Sequence, residues 1–291
     1  MRRPVLVVAC AVLAAGCAKR GAAPAPRLVE VRVVDRAAAS GAGEPYPGAV
    51  DGRAIEVRVL GELRAARAIA IADGSEARDV DYRLKVEVAL QRDDAGPGAL
   101  RAFVVARMER EGATGEPPIE SRIAAERSLP PGLDARAARA HLERAVDDAI
   151  AALVSRVRLR LGGAGERLAA LRGADPDLRS EAIRDAALRR DKDAVPALIE
   201  LLSVEDRATR DLALGALVEI GDRRAVKPIT HLARFQDVAE LPKVIDAVAA
   251  LGGDEARAYL EFVISTHEDA EIRALAKEAL GRLDRRAAAA P

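Results

Sequence analysis

Beyond residue 165 the chain repeats itself every 31 residues, and no other feature narrows its fold as much. Leu198, Ile229 and Leu260 fall in one column, and Ala182, Ala213 and Val244 in another. Ala186, Leu217 and Val248 form a third, and Arg190, Gly221 and Gly252 a fourth. A period of this size is one supersecondary unit long, and such a unit buries its apolar face only by stacking on its neighbours. The segments AVPALIELL (194–202), AVKPITHLA (225–233) and EARAYLEFV (255–263) read as first helices. Segments near 177–189, 207–220, 238–251 and 269–283 read as second helices, the last slipped by one residue. The pattern predicts three and a half helical hairpins within residues 166–284, stacked as an all-α solenoid; a four-helix bundle is the alternative. Trp is absent and aromatic residues make up 2% of the chain, so the core must be Ala, Leu, Val and Ile, which suits closely packed helices.

Pro196 and Pro228 stand early in their helices, and Asp191, Asp222 and Asp254 mark the turns. With the period, these features resemble the HEAT family, in particular the short repeats also found in phycobilisome lyases. The resemblance covers the repeat region. It implies a solenoid whose second helices line a concave face that captures a protein partner. Polar columns on that face pair Arg179 with Arg210, and Arg184 with Asp246 and Lys277, with Arg207 and Lys243 nearby. These seven residues are the candidate surface for an acidic or extended partner; the same pattern also fits a solvated helix face laced with i,i+4 pairs. The lyases handle a chromophore, but no residue pattern here matches a bilin-handling site.

Residues 28–161 read as an α/β lobe, an antiparallel sheet with packed helices. Leu28–Val34 alternates as a strand does, and Tyr82, Leu84, Val86, Val88 and Leu90 share one face of the clearest strand, with Arg83, Lys85 and Glu87 on the other. Ile55, Val59, Leu63 and Ala66 suggest a helix over 53–66. Residues 100–109 and 119–128 complete a meander after the Gly/Pro turn at 93–98. Pro130-Pro131-Gly132 breaks the sheet, and Asp134 caps a long helix carrying Leu142, Val146, Ile150, Leu153 and Val157. The order resembles small periplasmic α/β modules of outer-membrane lipoproteins, such as transport-auxiliary and TolB-like N-terminal domains. Gly162-Gly163-Ala164-Gly165 separates the lobes.

The N-terminus carries Arg2 and Arg3 and then an apolar run from Val5 to Ala15. That run is too short to span a bilayer and has the length of a signal-peptide core. It ends in Leu13-Ala14-Ala15-Gly16-Cys17, which resembles the lipobox of bacterial lipoproteins, although that family prefers Leu where Ala14 stands. The resemblance implies cleavage before Cys17 and acylation of its thiol (palmitate among the acyl groups) and of its new amino terminus. An ordinary secretory signal is the alternative. Cys10 would leave with the signal, so Cys17 has no internal disulfide partner. Acyl chains anchor firmly, each buried CH₂ contributing about 0.8 kcal/mol. Ala18 lacks the Asp that retains lipoproteins in the inner membrane, which points to the outer membrane, facing the periplasm. The expected organisation is a signal peptide (1–16), a tether (17–27), the α/β lobe, the repeats and a disordered tail (285–291).

Lys+Arg and Asp+Glu both number 46, which gives no electrostatic case for nucleic acid. His141, His231 and His267 lie on separate expected helices, without the close pairing of a zinc site. No phosphate-cradling loop or nucleophile elbow is present, and no cofactor is expected. The chain therefore reads as a membrane-anchored, non-enzymatic protein-interaction scaffold. The alternative reading is an auxiliary subunit of an envelope export, lipid-trafficking or wall-synthesis machine, acting through its α/β lobe.

Overall fold

The computed structural model describes residues 25–35, 51–72, 81–92, 99–112, 117–128, 135–232 and 239–289. The signal segment, Cys17, the turn at 93–98, the Pro130–Gly132 break and Asp134 lie outside the described residues.

The first lobe is a five-stranded sheet covered on one face by two helices. Its elements are β1 (Arg27–Asp35), α1 (Gly52–Ala66), β2 (Ala70–Ile71), β3 (Tyr82–Arg92), β4 (Ala99–Arg110), β5 (Ile119–Ser128) and α2 (Ala135–Leu161). The strand order is β2-β1-β3-β4-β5. β3, β4 and β5 form the expected antiparallel meander. β1 runs parallel to both β2 and β3, so the sheet is mixed and not antiparallel throughout. The reason is the connection: the chain leaves β1, returns through α1 and re-enters alongside it, and a crossover of that kind gives parallel strands.

The alternation in β3 places Leu84, Val86, Val88 and Leu90 at 1% exposure or less against the helices. Asp51 caps α1, accepting from the Ala54 amide at 3.1 Å. Ile55, Val59 and Leu63 then recur at helical spacing and are buried on the sheet, each worth about 1.5–3 kcal/mol. α2 buries Leu142, Val146, Ile150, Leu153 and Val157, and the buried Ser121 hydroxyl of β5 donates to the Ala149 carbonyl at 2.6 Å. On the opposite face of the sheet Arg83 bridges Glu30 (3.3 Å) and Glu111 (2.9 Å), and Arg107 meets Glu120 at 2.7 Å, which keeps that face solvated.

The second lobe is helical throughout: α3 (Ala164–Arg172), α4 (Pro176–Arg189), α5 (Val195–Leu201), α6 (Arg207–Ile220), α7 (Val226–Thr230), α8 (Leu241–Leu251), α9 (Asp254–Thr266) and α10 (Ala270–Ala289). The apolar columns at Leu198/Ile229/Leu260, Ala182/Ala213/Val244 and Ala186/Leu217/Val248 are all buried in one core. α3 supplies a first helix before α4, so the expected half hairpin is a whole one. α10 continues to Ala289, so the tail expected from Arg285 is helical through that residue.

The lobes share α2. Its Leu159 belongs to the helical core, while Val157, two residues earlier in the same helix, belongs to the sheet core. The glycine-rich corner after it is fastened. The Gly162 amide donates to the Arg158 carbonyl at 2.9 Å, Glu166 accepts from the Gly163 amide at 3.0 Å, and Arg167 donates to the Gly162 carbonyl at 3.1 Å. A Cβ at Gly162 would lie 2.2 Å from the Arg158 carbonyl oxygen, so no larger residue fits there.

Candidate functional site

The second helices α4, α6, α8 and α10 each begin at a turn that must satisfy its own backbone. Asp175 caps α4, accepting from the Asp177 and Leu178 amides at 2.9 and 3.1 Å. Asp206 caps α6 through Thr209, accepting from its amide at 2.9 Å and its hydroxyl at 2.5 Å. Asp269 caps α10 from the Glu271 amide at 2.7 Å. One turn into each of these helices an arginine reaches back to the preceding loop. Arg179 donates to the Gly173 carbonyl at 2.5 Å. Arg210 donates to Val204 and Glu205 at 2.8 and 2.7 Å, and Arg273 to His267 and Glu268 at 2.7 and 2.6 Å. α8 departs from this pattern: the buried Leu241 stands in the arginine column.

Of the candidate partner-binding residues, Arg179 and Arg210 are thus engaged by the loops of the array. Three others tie neighbouring helices together. Arg207 of α6 meets Glu240 at 2.6 Å, and Lys243 of α8 meets Asp211 of α6 at 3.1 Å. Asp246 of α8 meets Arg282 of α10 at 2.5 Å. Arg184 and Lys277 are exposed and have no ion-pair partner among the described residues.

Between α6 and α8 these residues frame a groove of about 640 Å³. Leu214, Gly215, Val218, Ala247 and Ala250 make its apolar floor, and Asp211, Glu219, Lys243 and Asp246 its charged rim. No heavy atom outside its own helix lies within 4 Å of where a Cβ on Gly215 would stand, so this glycine leaves space on the surface. The sequence reading named two residues of the rim and none of the floor. The available signal was Gly215 itself, a helix-weakening residue in the column that holds Arg184 and Asp246.

The carboxylates that hold the turns are shifted. The Thr209 hydroxyl, and then its amide, hold the Asp206 carboxyl below the ordinary aspartate range. The Arg224 guanidinium and then its amide do the same for Asp222, which begins the turn before α7. His141 and His267 are buried and His231 is exposed. Nδ1 of His267 accepts from the Asp269 amide at 3.1 Å, a capping role. Among the described residues no three His, Cys, Asp or Glu side chains gather as metal ligands would, and no helix is long and apolar enough to cross a membrane.

The family of HEAT repeats matches residues 166–241, from α3 to the start of α8. The C-terminal half therefore carries HEAT repeats. The bilin biosynthesis protein PecE of Mastigocladus laminosus is 39% identical over 85 residues, covering 29% of this chain and 32% of that protein. The protein of the same name from Nostoc sp. is 36% identical over 85 residues, 34% of its length. The chain thus spans about a third of the length of these curated relatives.

Proposed function

We propose that this chain is a lipid-anchored scaffold of the bacterial cell envelope that captures a protein partner in the groove between α6 and α8. The observation that carries the reading is the apolar floor cut across two successive repeats within a charged rim. α6 and α8 rest on one buried core, with Ala213, Ala216, Leu217, Val244 and Val248 in it and Lys243–Asp211 bridging them at the surface, so the groove is formed before a partner arrives, which lowers the ordering cost of binding. Stacked repeats expose long surfaces of this kind. Bilin biosynthesis, named for the two relatives, is not carried over, since the similarity covers about a third of them. No catalytic step is part of the proposal.

The anchor rests on Arg2, Arg3, the Val5–Ala15 run and the Leu13–Cys17 segment, and Ala18 supports an outer-membrane position facing the periplasm. Metabolic labelling with palmitate tests it: wild type takes up label and sediments with membranes, and Cys17→Ser does neither. Label retained by Cys17→Ser rejects the anchor.

The groove is tested by cross-linking the tagged full chain in its native envelope, beside Gly215→Arg and Val218→Glu. Substitution is cleaner than deleting residues 166–291, because deletion would strip the cover from Leu159. A partner captured by the parent and lost from both variants supports the groove. A partner retained by both places the contact elsewhere, the α/β lobe included.

A further inference from the structure

We propose a second binding site, at the seam between the two lobes, fitted to an extended peptide that carries a carboxylate beside an apolar side chain. The seam holds a pocket of about 290 Å³ bounded by the start of β5, the end of α2 and the outer side of α4. Its apolar wall is Ile119 and Leu159, both buried, and Leu188, which is 84% exposed. An isoleucine and a leucine beneath a leucine left almost wholly in water form a seat for one apolar side chain.

The charges of the pocket do not cancel within it. Three carboxylates and three guanidiniums line it: Glu120, Glu181 and Asp185, and Arg156, Arg160 and Arg184. Glu181 takes Arg156 at 2.9 Å. Asp185 is held at 2.8 Å by Arg189, which is not part of this wall, and Glu120 is held by Arg107 at 2.7 Å and by Arg122. Arg160 and Arg184 are left with no acceptor among the described residues. Two uncompensated guanidiniums beside an apolar seat fit a carboxylate, which guanidinium binds in a two-pronged geometry.

The same wall favours a peptide as the carrier. β5 is the outer strand of the sheet and begins at Ile119. Among the described residues no strand pairs with its outer side, whose first residues, Ile119 and Glu120, line the pocket and can offer main-chain donors and acceptors to an extended chain. This site shares no residue with the α6/α8 groove, so its fate is independent of that reading.

The test is fluorescence anisotropy of a labelled peptide of alternating leucine and aspartate, titrated with the full chain. Saturable binding is expected. Arg160→Gln combined with Arg184→Gln weakens it about tenfold or more, the loss expected for charge-assisted contacts. Leu188→Asp, at an exposed position that does not threaten folding, weakens it as well. Arg144→Gln, on the same helix as Arg160 but outside the pocket, leaves it unchanged. Four outcomes overturn the proposal: no saturable binding; equal binding by the double variant; equal binding of a leucine–lysine peptide; or displacement by sodium octanoate as effective as by unlabelled peptide, which would mark a site for free amphiphilic acids.

Discussion

Arg27 grips Asp81 at three points, from its amide at 3.1 Å, its Nε at 3.3 Å and its Nη2 at 2.7 Å, and the Asp81 side chain is wholly buried. The Asp81 carbonyl in turn accepts from the Glu111 amide at 2.7 Å, just past the end of β4. One residue thus joins the start of β1, the start of β3 and the end of β4. Arg27→Ala removes the two guanidinium bonds to that buried carboxylate and keeps the main-chain one, a change that costs about 1.5–3 kcal/mol. Urea denaturation of the variant is expected to show the α/β lobe unfolding at much lower denaturant, with the helical array shifted less. Equal shifts of both lobes would mean that the fastened corner at Gly162 makes the chain a single cooperative unit.

Arg190 ends α4 in the left-handed region, at φ 51°, where the next two repeats use Gly221 at 72° and Gly252 at 69°. The column was visible in the sequence, and the structure gives its reason: each repeat ends its second helix on a residue of positive φ, followed in the third by a second one, Gly253 at 93°. A side chain is strained there and glycine is not. Arg190→Gly is therefore expected to stabilise the array by about 0.5–1 kcal/mol net of glycine's unfolded-state entropy, and Gly221→Ala to destabilise it by about 1 kcal/mol. Chemical denaturation midpoints check both signs, and a loss of stability in Arg190→Gly refutes the account of the column.

Periodicity made the repeats legible because each apolar column maps onto one buried position. It failed where a residue broke its column. Arg167 stands one period before Leu198, so α3 did not read as a first helix, although Arg167 is anchored there to the Gly162 carbonyl and lies 3.5 Å from Asp191. In the sheet, alternation identifies a strand but carries no direction, so the parallel setting of β1 was hidden. β2 has two residues, too few for any alternation. The candidate site was legible only in part. A periodic polar column marks what every repeat needs, and for Arg179 and Arg210 that need is the loop behind the helix. The groove floor depends on which small residues the stacking of α6 on α8 leaves uncovered, and spacing alone does not encode this.

That distinction separates two arginine and lysine phenotypes. Arg210 is half-buried and bonded to two carbonyls, so Arg210→Ala is expected to cost about 1 kcal/mol, the usual value for a charged hydrogen bond reduced for its partial exposure. Partner capture should persist in this variant. Lys243→Ala breaks exposed pairs with Asp211 and Glu240 and should cost less than about 0.5 kcal/mol, while it opens the groove rim and reduces capture. Thermal denaturation beside cross-linking reads both effects; the reverse pairing would return Arg210 to the binding surface and remove Lys243 from it.

The capping carboxylates give the array a defined response to acid. Asp206 and Asp222 have folded pKa values below the ordinary aspartate range, Asp206 through the Thr209 hydroxyl and amide, Asp222 through the Arg224 guanidinium and amide. A carboxyl of this kind binds fewer protons folded than unfolded. Its stabilisation is complete above the ordinary aspartate pKa and is lost as pH falls through the depressed folded value. The urea midpoint of the array should therefore be level near neutrality and fall on acidification through and below the aspartate range. Asparagine keeps the cap but does not titrate, so Asp206→Asn combined with Asp222→Asn should leave neutral stability little changed and make the acid fall shallower. An equally steep fall in the double variant would show that other carboxylates govern the acid response, with the Glu200–Arg172 and Glu120–Arg107 pairs next in line because their glutamates are also held below the ordinary range.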